Sequence, residues 1–144
     1  MKKLPVLLIV LLGLLLITGA ALAADGGARR LTTLSGAEEV PAADPDGSGF
    51  ARITLNYGQG QVCWEVSYEG IAAPVAAHIH SAPAGVNGPI VVPLSPINFG
   101  CAAVDKGLIK AIIQNPKQYY VNVHNADFPG GALRGQLSNP GLSD

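Results

Sequence analysis

The stretch Gln61-Val62-Cys63-Trp64-Glu65-Val66-Ser67-Tyr68-Glu69 decides the fold class. In an extended chain Val62, Trp64, Val66 and Tyr68 fall on one face, and Gln61, Cys63, Glu65, Ser67 and Glu69 on the other. Alternation at period two marks a strand whose one side packs on a core while the other meets water, as in an antiparallel sheet. Just upstream, Gly58-Gln59-Gly60 is a turn signal. Before it, Phe50 to Tyr57 alternates again, with Ala51, Ile53, Leu55 and Tyr57 sharing a face. Two alternating runs joined by a short Gly-rich turn predict a β-hairpin.

The same punctuation continues outward. Arg30 to Val40 reads as extended and is followed by the turn cluster Pro41 to Gly47. Within it, Asp44-Pro45-Asp46-Gly47 lacks the longer spacing of a calcium loop and reads as a turn. Short strands are expected at Ala76 to His80, Ile90 to Leu94, Phe99 to Val104, Tyr119 to His124 and Ala132 to Ser138. Ser81 to Pro89, rich in Pro, Gly and Asn, is a loop. One helix is expected: Asp105 offers an N-cap, Leu108, Ile109 and Ile112 form an apolar stripe, and Asn115-Pro116 stops it. The sum is an all-β domain, an antiparallel Greek-key-like β-sandwich with one short helix.

The chain has 144 residues, with 9 Lys+Arg against 10 Asp+Glu. Residues 1–23 have the layout of a secretory signal peptide: Lys2 and Lys3, a long apolar run, and the small-residue end Ala21-Leu22-Ala23. Cleavage there would leave 121 residues, one domain's worth, and move the formal charge from −1 to −3. Residues 24–30 read as a linker, 31–138 as the domain and 139–144 as a tail. A slightly acidic domain lacks the basic footprint of a nucleic-acid binder, and no apolar run after Ala24 is long enough to span a membrane. The expected destination is outside the cytoplasm: secreted, periplasmic or at the cell surface, with an unknown partner. Cys63 and Cys101 are the only cysteines, and in an oxidising compartment one intramolecular disulfide is expected.

Three histidines could carry chemistry. His78 and His80 are two apart on an expected strand, so their rings project from one face. His124 ends another expected strand, on the parity of Tyr120 and Asn122. If the two strands are neighbours, three imidazoles converge, a donor set suited to copper or zinc with an open position. The alternative is structural, each ring bonding a loop carbonyl. Arg134, lying between Gly131 and Gly135, reads either as a clasp to Asp127 or Glu65 or as an anion guide toward the histidines. Trp64 and Tyr68 belong to the core by parity, and Tyr119 and Tyr120 receive no binding role. No G-x-S-x-G elbow is present, so no catalytic residue is assigned.

Four ordered segments resemble the CHRD (chordin) domain family. They are Leu34-Ser35-Gly36-Ala37-Glu38-Glu39-Val40-Pro41, Gly49 to Asn56, Ala77-His78-Ile79-His80 running on to Asn87-Gly88-Pro89, and Tyr120 to His124 followed by Phe128 to Leu137. The resemblance implies an exported single-domain protein, a non-catalytic binding or structural module with no cofactor. It does not bring growth-factor binding, because the cysteine-rich repeats that accompany these domains in chordin are missing here. A fainter resemblance to copper/zinc superoxide dismutases rests on His78, His80, His124 and the Gly130-Gly131…Arg134-Gly135 run. It implies the alternative: a superoxide-dismutase-like fold and a mononuclear copper or zinc protein with dismutase-like redox activity. No counterparts of the bridging histidine or the zinc ligands stand in this sequence.

Overall fold

The computed structural model describes residues 26–140, so the expected signal segment lies outside the described residues. Eight strands form in order: β1 (Ala28–Ser35), β2 (Ser48–Asn56), β3 (Gln61–Glu69), β4 (Pro74–Ser81), β5 (Ile90–Pro93), β6 (Phe99–Ala103), β7 (Tyr119–Asn125) and β8 (Leu133–Gln136). The helix α1 (Lys106–Gln114) lies between β6 and β7. The expected all-β architecture with one short helix is what forms.

All pairings are antiparallel, and the strand order is β5-β4-β7-β8-β1-β2-β3-β6. The two layers are the two ends of one curled sheet. Their junction is narrow, with one registered pair, Ser35 with Arg134, and one bridge, Leu31 with Ser138. One face of each half lines a single core. Ala51, Ile53, Leu55 and Val62 come from the β2–β3 half, and Ile79, Val121, Val123 and Leu133 from the other, all with no measurable exposure. Alternating apolar residues therefore pay off on both layers at once, because each strand sends every second side chain to the same interior.

The deciding segment forms β3 over its full length, with Val62, Trp64 and Val66 buried. Trp64 also donates its indole N–H to the Pro96 carbonyl at 2.8 Å. In the hairpin, Gly60 adopts φ +66°, and its N–H reaches the Tyr57 carbonyl at 3.3 Å. Tyr57, expected on the core face, is instead 50% exposed because the chain turns there. The Cys63–Cys101 disulfide forms between registered partners on β3 and the edge strand β6.

The helix starts where expected: the Asp105 carboxylate accepts the Leu108 N–H at 3.1 Å, and Ile109 and Ile112 are fully buried. The Arg30 guanidinium donates to the Ile113 carbonyl at 2.5 Å, holding the helix end against the sheet. Two boundaries differ from expectation. Strand β1 begins at Ala28, inside the stretch read as linker, since Ala28 and Arg29 pair with Leu55 and Thr54. It ends at Ser35 rather than running to Val40. There the Gly36 carbonyl accepts from Ala43 N–H at 2.8 Å and Glu39 N–H at 3.2 Å, folding the chain into a tight turn. Gly36 lies against the Asp44 backbone so closely that no side chain fits. This turn tucks Glu39 inward to 7% exposure.

Candidate metal centre

Strands β4 and β7 are neighbours, and their register places the histidines together. Ala76 faces His124, His78 faces Asn122 and His80 faces Tyr120. Period two then puts His78, His80, Tyr120, Asn122 and His124 on one side, opposite the core residues Ala77, Ile79, Val121 and Val123. Loops roof that outer side, which is why β7 is buried on both faces.

Three nitrogens, one from each of His78, His80 and His124, lie within 4.8 Å of one another. An imidazole has two ring nitrogens, and here they are divided between two tasks. His80 Nδ1 meets the Gly88 carbonyl at 2.9 Å, and His124 Nδ1 meets the Pro129 carbonyl at 3.0 Å. A carbonyl only accepts, so both Nδ1 atoms donate and both Nε2 atoms keep their lone pairs. His80 Nε2 is buried without a partner. His124 Nε2 faces His78 Nδ1 at 3.1 Å. At His80 the structural and metal readings therefore do not compete, since Nδ1 serves the fold and Nε2 is offered; at His124 the Nε2 lone pair accepts from His78 Nδ1–H, a bond that a metal would replace.

Burial holds the His78 and His80 pKa values below the ordinary range. The repulsion of His124 adds to this for both, that of His80 for His78, and that of Arg134 for His80; the Gly88 bond opposes it at His80. Neutral rings are the form that binds a metal. An ion with Zn–N or Cu–N bonds near 2.0 Å holds its nitrogens roughly 3.3–3.5 Å apart. The His78–His124 pair, hydrogen-bonded at 3.1 Å, is slightly inside this spacing, and the cluster as a whole, spanning 4.8 Å, would have to contract around an ion. The donor chemistry and the orphaned Nε2 fit a single transition-metal ion.

Arg134, on β8, is 1% exposed. It donates to the Pro83 carbonyl at 3.0 Å, the Val86 carbonyl at 2.9 Å and the Asn87 side-chain oxygen at 3.2 Å. Neither expected partner is used: Glu65 pairs with Arg52 on the far face, and no bond joins Arg134 to Asp127. The 81–89 loop outcompetes a carboxylate here because two of its backbone carbonyls and the Asn87 side-chain oxygen present three acceptors to one buried fork. The guanidinium also lies over the Tyr120 ring, 3.5 Å from its centre, and that ring stacks on His80 at 4.8 Å and 10°.

Sequence reasoning missed Tyr120, Asn122, Glu39 and Asn87. The Asn122 amide donates to the Glu39 carboxyl and Asn87 donates to the Val40 carbonyl at 2.6 Å. Burial raises the Glu39 pKa to about 7, against the Arg134 charge and hydrogen bonds from Val40 and Asn122, which favour the ionised form. Tyr120 and Asn122 could have been found from the parity they share with His124. Glu39 carried no such signal. A surface depression of about 600 Å³ is remote from the histidines, an open groove between Phe50 and Phe99 over the Arg52–Glu65 pair. The imidazole cluster, with its unpartnered nitrogen, is the better-built site.

Among the described residues no helix is long and apolar enough to cross a membrane. The family model described as the CHRD domain matches residues 31–137, most of the chain. No curated protein and no solved structure matches it.

Proposed function

The chain belongs to the CHRD domain family, and from that premise we propose that it is a non-catalytic extracytoplasmic binding module whose ligand is one transition-metal ion, copper or zinc. His78, His80 and His124 are its ligands. The observation that carries this reading is the buried, unpartnered Nε2 of His80, on a ring that shares a cluster with His78 and His124 whose ligand nitrogens lie within 4.8 Å of one another. An unpaired buried acceptor costs about 1–3 kcal/mol, and a metal bond would remove that cost.

The disulfide and the signal-like residues 1–23 support export. Gly88 and Pro129 carbonyls fix the tautomers of two ligands, the role outer partners play around metal-bound imidazoles. No catalytic step is assigned, because Arg134, the one candidate for receiving an anion, is buried and spends its N–H groups on the 81–89 loop.

The test is metal content by mass spectrometry on untagged protein exported to the periplasm, beside the His78→Ala/His80→Ala variant. About one equivalent of copper or zinc, absent from the variant, is the expected result. Absence of stoichiometric metal after reconstitution with either ion would leave the rings as structural hydrogen-bonders and overturn the reading.

A further inference from the structure

We propose that the histidine trio takes copper as Cu(I) in preference to Cu(II) or Zn(II); this rests on the reading that the trio binds a metal at all.

The ligand set carries no charge. The three donors are neutral imidazoles, and among the described residues no carboxylate or thiolate joins them. Both cysteines are consumed in the disulfide. The outer partners of His80 and His124 are the Gly88 and Pro129 carbonyls, which are neutral as well. A carboxylate in that position would make the rings more basic and offset part of a divalent charge. Here nothing in the ligand set does so.

The surroundings add a cation. Arg134 stacks on Tyr120 and Tyr120 stacks on His80, so a buried guanidinium sits within about 8 Å of the His80 ring. Through that stack the guanidinium repels a cation held at His80, and the Glu39 carboxyl that interacts with Arg134 offsets part of this. Halving the ion's charge halves this repulsion. One unit of charge about 10 Å from a like charge, at an effective dielectric near 20, changes binding by roughly tenfold.

Coordination number points the same way. Cu(I) is a d10 ion satisfied by two or three nitrogens, whereas Cu(II) and Zn(II) complete their shells with further ligands. The cluster supplies three nitrogens and no fourth. The stacked Tyr120 and the 81–89 loop, held by the Arg134 and Gly88 contacts, leave His80 only 9% exposed, which limits the water that would fill a divalent shell.

The experiment is a set of three chelator competitions on the disulfide-bonded protein: Cu(I) under anaerobic conditions, Cu(II) in air, and Zn(II). Expected is Cu(I) bound at least about tenfold more tightly than either divalent ion. Zn(II) or Cu(II) binding as tightly as Cu(I) would overturn the proposal while leaving the metal site intact. Binding of none of the three ions would instead sink the metal reading beneath it. The His78→Asp variant provides a second arm, because His78 is half-buried and has no carbonyl partner for its ring. Adding an anionic ligand there should shift the order toward Zn(II). An unchanged order in a folded variant would overturn the charge argument.

Discussion

The guanidinium of Arg134 lies 3.5 Å from the centre of the Tyr120 ring, so β8 and β7 are joined by a cation–π contact directly beside the histidine cluster. The pair is a small stack with His80 as its third layer. Its far end holds the 81–89 loop through three acceptors, and Gly88 in that loop returns both to His80 Nδ1 and to the Tyr120 hydroxyl. Loop, stack and histidine form one closed circuit of contacts.

Cutting the circuit at Arg134 should be costly. Arg134→Met keeps most of the volume but leaves three part-buried acceptors without their donor, and a loss of about 3 kcal/mol is expected in urea unfolding. Arg134→Lys restores the charge without the planar fork and should recover only part of it. Hydrogen exchange should quicken first in residues 81–89. A loss under about 0.5 kcal/mol for the Met variant would show that the loop is held by something else.

The Cys63–Cys101 bond fastens the edge strand β6 to β3. It closes a loop of about 39 residues, which on the chain-entropy account stabilises the fold by about 4 kcal/mol. Cys63→Ser, Cys101→Ser or the double variant should therefore lower the melting temperature more than any exposed substitution. Equal melting temperatures for oxidised and reduced protein would contradict this.

Much of the architecture was readable because strand alternation is local. The Gln61–Glu69 pattern needs only its own residues, and so do the Asp105 cap and the Asn115-Pro116 stop. The end of β1 was not readable, because it is set by Gly36 packing on Asp44 and bonding Ala43, contacts that composition does not announce. The same holds for the site. Parity put His78 with His80 and His124 with Tyr120, but whether the pairs met depended on β4 and β7 being adjacent. Glu39 and Arg134 were harder still. Glu39 reaches a residue 83 positions away, and the acceptors of Arg134 are mostly backbone carbonyls, which carry no sequence signature.

Glu39 gives the protein a pH dependence of definite sign. Its carboxyl titrates near 7 in the folded state against an ordinary value of 4.5. Between those values the unfolded chain releases a proton that the folded one keeps, so stability falls as pH rises, by about 3 kcal/mol over the full window. His78 and His80 act oppositely: their lowered values make their contribution complete above 6.5 and lost as pH falls below it. Glu39→Gln removes the first effect and keeps an oxygen to accept from Asn122. The variant should gain on the native protein as pH is raised from 4.5 to 8 in parallel urea titrations. A constant difference between the two would mean that Glu39 ionises freely in the fold.

The tautomers offer the most direct check on the cluster. A free neutral histidine favours the proton on Nε2, but the Gly88 and Pro129 carbonyls demand it on Nδ1 at His80 and His124. Nitrogen-15 chemical shifts and two-bond couplings in metal-free protein near pH 8 should find Nδ1–H at both rings. His80 is the stricter case, because its Nε2 is buried with nothing to accept a proton from it. Glycine 88 and Pro129 would hold the same tautomers when metal is added, so the Nδ1–H signals should persist while the Nε2 resonances shift or broaden. An Nε2–H at His80 would leave that nitrogen without a lone pair and remove the ligand on which the metal reading depends.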